Sequence, residues 1–119
     1  MTDSSNYLKM DDHNIFVDLE VFVYRDDDYF ISYSPALDLS SFGKTKDEAE
    51  KLFYSALDLF MEDIIARDVL ADVLSTLGWV RDNIKHTSPK RPVKVPYKAD
   101  KNRVKWSHPY SNSIPGYSY

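Results

Sequence analysis

Hydrophobic and polar positions alternate along residues 15–24. Ile15, Val17, Leu19, Val21 and Val23 fall on one face of an extended chain, and Phe16, Asp18, Glu20, Phe22 and Tyr24 on the other. A period of two in β-branched and aromatic residues predicts a strand. Asp26, Asp27 and Asp28 interrupt it and predict a turn. Alternation resumes from Tyr29 to Ser34, so the two runs predict an antiparallel hairpin that Pro35 ends. Leu37 to Phe42 predicts a weaker third strand, closed by Gly43. The period then changes to that of a helix. Thr45-Lys46-Asp47-Glu48 is a capping box. Ala49, Leu52, Phe53, Ala56, Leu57, Phe60 and Ile64 form one apolar stripe, with Lys51, Asp58 and Glu62 expected opposite in water. Asp63 falls inside the stripe, and is expected either to lie where the helix end emerges from the core or to pair with Arg67 four residues on. A second, shorter helix is expected around Asp68 to Leu77 on the spacing of Leu70, Val73, Leu74 and Leu77. Gly78 would stop it and Trp79 would pack back on the core.

The pattern predicts an α+β fold, a three-stranded antiparallel sheet packed on two helices in the order β-β-β-α-α. Residues 1–13 lack periodicity and read as a flexible N-terminus. Residues 14–79 form the expected domain. Residues 80–119 form a basic, Pro- and Tyr-rich tail, extended or partly ordered, with one short strand allowed at Val93, Val95 and Tyr97. A folded unit of ~60 residues buries only about 60% of its unfolded surface. Cover for Phe16, Phe22 and Tyr24 is therefore expected from a partner, a second copy or the chain's own loops and tail.

The 119 residues leave room for one domain. There is no Cys, which excludes disulfides, thiolate catalysis and Cys-based metal sites. Met1 to Asn6 does not read as a signal peptide and no apolar run approaches a membrane span, so a cytoplasmic location is expected. The net charge of −4 hides a split. Residues 1–79 carry 17 acidic side chains against six basic ones, and residues 80–119 carry nine basic against two acidic. An acidic head suits a basic protein partner.

Little in the chain carries catalytic chemistry. His13, His86 and His108 have no metal-ligand spacing, and only 3 Gly are available for phosphate-cradling loops. No cofactor is expected, and no enzyme. Asp18, Glu20 and the Asp26–Asp28 turn could hold Mg²⁺ for nuclease chemistry, or be a solvated strand face ending in a turn. Leu37, Phe42, Leu52 and Trp79 could line a pocket, or be plain core. In the tail, Lys85, Lys90, Arg91, Lys94, Lys98, Lys101, Arg103 and Lys105 interleave with Tyr97, Trp106 and Tyr110. Such a segment can stack and neutralise a nucleic acid, or dock on the acidic head.

The order Pro35…Gly43-x-Thr45-x-x-Glu48-Ala49, inside YFISYSPALDLSSFGKTKDEAEKLFYSALDLFMEDI, resembles the recurring core of the HicB antitoxin family. Leu77-Gly78-Trp79 is similar to a branch whose second helix ends in Leu-Gly-Trp. The resemblance covers about half of the chain. It implies a partial ribonuclease H-like fold without nuclease activity, oligomerisation, and occlusion of a small basic RNA-cleaving toxin, HicA. Two departures stand out. Ser40-Ser41 replace the usual loop Gly, and residues 80–119 lack the helix-turn-helix or ribbon-helix-helix pattern of many members. The function so implied is an antitoxin-like binding protein; the alternative is an orphan regulatory or ligand-binding domain of the same fold. The expected capture surface is the face with Asp18, Glu20, Phe22 and Tyr24, together with the tail.

Overall fold

The structure is a computed structural model that describes residues 5–10, 14–79, 85–87 and 98–109. It is an α+β fold in which an antiparallel sheet packs on two helices. Among the described residues the sheet has six strands rather than three: β1 (Ser5–Met10), β2 (Asn14–Asp26), β3 (Tyr29–Ser34), β4 (Leu39–Gly43), β5 (Lys85–Thr87) and β6 (Asp100–Pro109). The helices are α1 (Lys46–Ala66) and α2 (Leu70–Thr76). Three of the strands therefore lie outside residues 14–79. The segment read as a flexible N-terminus contains β1, which pairs with β2 and β5. The tail contains β6, which pairs with β2 over ten residues, from Asn14↔Pro109 to Val23↔Asp100. Val93, Val95 and Tyr97 lie outside the described residues.

Strand β2 organises the sheet. Ile15 to Asp18 pair with both β1 and β6, and Phe22 and Val23 pair with both β3 and β6. A strand has only two edges, so β1 and β3 lie end to end along one edge and β6 takes the other. Where β1 gives way to β3, the backbone N–H of Glu20 donates to the side-chain Oδ1 of Asn6, which is fully buried. That bond satisfies a donor that would otherwise be orphaned in the gap between the two strands.

Directly paired residues share a sheet face. Ile15, Val17, Leu19, Val21 and Val23 therefore lie with Leu8 of β1 and with Val104 and Trp106 of β6. This face meets Phe53, Leu57, Met61 and Ile64 of α1 and Leu70 and Leu74 of α2 in one core cluster. On β3 and β4 the same face carries small Ser32, Ser34, Ser41 and Gly43 beside Phe30 and Leu39, which lets α1 come close. The Ser32 hydroxyl donates to the Ala49 carbonyl at 2.7 Å. A Cβ added at Gly43 would lie 2.7 Å from the Ala49 nitrogen. Gly43 is required here by close approach of strand to helix, not by a turn conformation.

Helix ends follow local chemistry. Thr45 caps α1 by accepting from the Glu48 N–H at 3.0 Å, while the Glu48 carboxylate accepts from the Lys44 N–H at 2.8 Å. Asp68, with φ 57°, ends α1 in the left-handed region, and the Val69 N–H then donates to the Ile64 carbonyl. Gly78, with φ 91°, ends α2 the same way, and the Trp79 N–H donates to the Leu74 carbonyl. The Trp79 indole is buried and donates to the Ala36 carbonyl at 2.9 Å, tying the end of α2 to the β3–β4 loop. Ser40 and Ser41 lie within β4. Asp27, the first turn residue after β2, is also left-handed, with φ 55°. Asp is among the few side chains that tolerate that region, which gives the acidic turn a backbone reason.

Two substitutions test this packing by urea unfolding followed by circular dichroism. Gly43→Ala should destabilise by about 1–3 kcal/mol through overpacking against α1. Trp106→Ala should cost about 3–5 kcal/mol, and a chain ending at Trp79 should lose the cooperative transition.

Candidate functional site

The face of β2 expected to capture a partner is engaged by the chain itself. Asp18, Glu20 and Phe22 pair with Lys105, Arg103 and Lys101 of β6. Arg103 sets Nη2 at 2.7 Å and Nε at 3.0 Å from Asp18 Oδ1, and the Asp18 side chain is only 13% exposed. Glu20 and Phe22 are buried, at 3% and 4% exposure, while Tyr24 is half-buried. Asp18 is therefore answered inside the molecule by Arg103 of the basic tail, and Glu20 is buried beneath the same strand. This is charge complementarity between halves of one chain. It also leaves no carboxylate cluster for a metal: among the described residues no three His, Asp or Glu side chains are arranged to hold an ion.

With β6 in place the sheet face turned away from the helices changes sign. Its described charged residues on β1, β2 and β6 are Lys9, Lys101, Arg103 and Lys105 against Asp18, Glu20 and Asp26. Cross-strand rows read Lys9–Phe16–Ser107 and Tyr7–Asp18–Lys105. These rows frame a cavity of about 420 Å³. At the other end of the face Tyr24, Ile31 and Phe42 form a row, and Tyr29 meets Phe42 edge to face with centroids 5.6 Å apart.

The helix-facing side of β6 is zipped to α1. Lys46 pairs with Asp100 at 2.7 Å, and Asn102 donates to Glu50 at 2.8 Å. The Trp106 indole donates to Asp58 at 3.1 Å, and His108 Nε2 lies 3.6 Å from Glu62. The contacts step by two, or twice two, along the strand and by four, or twice four, along the helix. Two strand residues span about 6.8 Å and four helical residues about 6 Å, so the ladder stays nearly in register. His108 stacks on Trp106 with the rings 5.6 Å apart. Asp58, expected in open water, is half-buried under this ladder, whereas Asp63 pairs with Arg67 at 2.9 Å as its spacing implied.

The outer surface of the helical layer is acidic. From Lys46 to Leu77 six acidic residues are exposed, Asp47, Glu48, Glu62, Asp63, Asp68 and Asp72, against Lys46, Lys51 and Arg67. Leu52 and Leu59, two turns apart on α1, stand exposed there at 43% and 70%. An open groove of about 460 Å³ runs between α1, α2 and the β3–β4 loop, lined by Leu37, Phe60, Arg67, Val69, Val73 and Leu77 among others.

The remaining positions singled out by sequence divide clearly. Pro35, Gly43, Thr45, Glu48, Ala49, Leu77, Gly78 and Trp79 serve turns, caps and packing. Leu37 and Trp79 are buried while Phe42 is 59% exposed, so with Leu52 these four line no common pocket. Lys98 is exposed in the turn before β6, Arg103 and Lys105 are on β6, and Trp106 is core. Lys90, Arg91, Lys94 and Tyr110 lie outside the described residues, as does His13. Sequence reasoning missed the α1–β6 ladder. Its signal was the alternation of Asn102, Val104 and Trp106 with Lys101, Arg103 and Lys105. No described helix is long and apolar enough to cross a membrane. Comparison with family models, characterised proteins and solved structures returns no match to this chain.

Two phenols on the open face have displaced titrations. Burial raises the pKa of Tyr24, with a smaller contribution from Asp26. Burial also raises Tyr33, helped by its hydrogen bond to Asp38 at 3.1 Å. The folded state thus favours the neutral phenols. Their stabilisation is fully present below the ordinary tyrosine pKa of about 10 and is lost as pH rises through the higher folded values. A near-ultraviolet titration should show late-ionising tyrosines, and the urea midpoint should fall above about pH 10. In the Tyr24→Phe, Tyr33→Phe variant that fall should be smaller.

Proposed function

We propose that this protein is an antitoxin-like binding protein, similar to the HicB family, that neutralises a small basic RNA-cleaving enzyme by occlusion. The observation that carries the reading is the acidic outer surface of α1 and α2, with exposed Leu52 and Leu59 set among Glu48, Glu62 and Asp63. A few apolar anchors inside a charged rim are the anatomy of a protein interface. Opposite potential steers a basic partner toward it. The succession β2-β3-β4-α1-α2 and the packing roles of Gly43, Thr45, Glu48 and Trp79 agree with the resemblance in their sequence. On this reading the capture surface is the helical layer, because Asp18 and Glu20 are spent on β6 and in the sheet.

A second reading, a ligand-binding regulatory domain of the same fold, is favoured by the apolar groove between α1 and α2. Leu59→Lys separates the two, since Leu59 does not line that groove. Affinity purification of the tagged chain from its native extract should recover a stoichiometric small basic protein whose RNA cleavage the chain suppresses. Leu59→Lys should weaken that complex at least about tenfold with an unchanged circular dichroism spectrum. Unaltered inhibition by this variant would remove the helical layer as the capture surface.

A further inference from the structure

We propose that the sheet face opposite the helices binds single-stranded nucleic acid, and that the cavity between β1, β2 and β6 takes one of its nucleotides. The site is distinct from the helical capture surface and does not depend on it. Three observations converge on it.

The first is shape. The cavity of about 420 Å³ opens on the rows Lys9–Phe16–Ser107 and Tyr7–Asp18–Lys105. That volume is within the range of small-ligand sites. Phe16 is 42% exposed at its wall. An exposed aromatic ring on a sheet is costly to leave in water and offers a flat surface on which a base can stack. Tyr7 stands diagonally across from it on β1.

The second is charge. Lys9, Lys101 and Lys105 are exposed on this face, and no ion pair engages them among the described residues. Asp18 would repel a phosphate, but its charge is matched by Arg103 at 2.7 Å. The lysines beside the cavity therefore face a paired carboxylate, although the whole chain is acidic at −4. Around the cavity the outward charges are cations, and the exposed acid of this face, Asp26, lies at its far end where β2 turns into β3.

The third is chemistry within the cavity. A carboxylate held by Arg103 keeps further lone pairs, and these accept hydrogen bonds from an exocyclic amine of a base. Phe16 for the base plane, Asp18 for the base edge, and Lys9 and Lys105 for phosphate make a divided set of contacts that a lipid headgroup or a simple anion would not need. A duplex keeps its bases stacked and would leave Phe16 unused, so the occupant is single-stranded.

The test uses the full chain and fluorescently labelled oligo-dC and oligo-rC of about ten nucleotides, the length a single-strand groove spans, read by anisotropy. Binding should fall with salt at a log–log slope of about −2, from some three phosphate contacts on a single strand. Phe16→Ala should weaken binding about 5- to 150-fold. Lys105→Glu should weaken it and flatten the salt slope, while Leu59→Lys on the opposite surface should leave it unchanged. Both sheet substitutions are at exposed positions, and circular dichroism confirms their folding. No binding at about 50 mM salt, where such contacts are strong, would overturn the proposal. So would binding that ignores both substitutions, which would put it elsewhere on the chain. Binding sensitive to Lys105→Glu but not to Phe16→Ala, and equal for heparin, would mean a polyanion patch without a nucleotide site.

Discussion

The pairing of β6 with β2 is the contact on which the rest of this structure depends. Ten residues of the C-terminal segment close one edge of the central strand. They also place Val104 and Trp106 in the core beside the aliphatic face of β2. On its helix side β6 is fixed to α1 by four polar contacts whose spacing matches the rise of a strand to that of a helix. Remove β6, and β2 keeps an open edge, Asp58 loses the Trp106 indole, and Asp18 loses Arg103. A small domain gains a third packed element in this way, which offsets part of the marginal burial expected of ~60 residues.

The same pairing redistributes charge. The sequence has an acidic N-terminal portion and a basic C-terminal one, and the fold lays part of one against the other. Asp18 on β2 is paired by Arg103 from β6. What faces solvent is then sorted by layer: an acidic helical surface carrying two exposed leucines, and a sheet face with lysines and aromatic rings. A molecule with opposite potentials on its two sides can meet a basic protein on one and a nucleic acid on the other without either competing for the same residues. For a protein read as restraining an RNA-cleaving partner, that separation is physically useful.

Much of the local architecture was legible. The alternation at Ile15–Tyr24, the stripe from Ala49 to Ile64, the Thr45–Glu48 cap and the Gly78 stop all report interactions within a few residues of one another. Such interactions leave a period or a spacing in the chain. Gly43 was legible as a marker of the strand-to-helix junction, but its reason, a 2.7 Å approach to the Ala49 backbone, is a tertiary fact. Asp58 and Glu62 shared a polar helical face with Lys51, and nothing local distinguished those that meet β6 from those in water.

The sequence by itself determined the α+β class, the succession of β2, β3, β4, α1 and α2, and the side of each element that seeks the core. Those follow from periodicity and from caps, which are local. Only the tertiary structure decided that β1 and β6 join the sheet, that Asp18 of β2 is paired within the chain, and which surface keeps unpaired charge. Arg103 and Asp18 are 85 residues apart. A strand at a sheet edge carries no mark of which strand it will pair with. Its partner is fixed by backbone hydrogen bonds common to every residue, and chosen by the burial of side chains that meet only when the chain has folded.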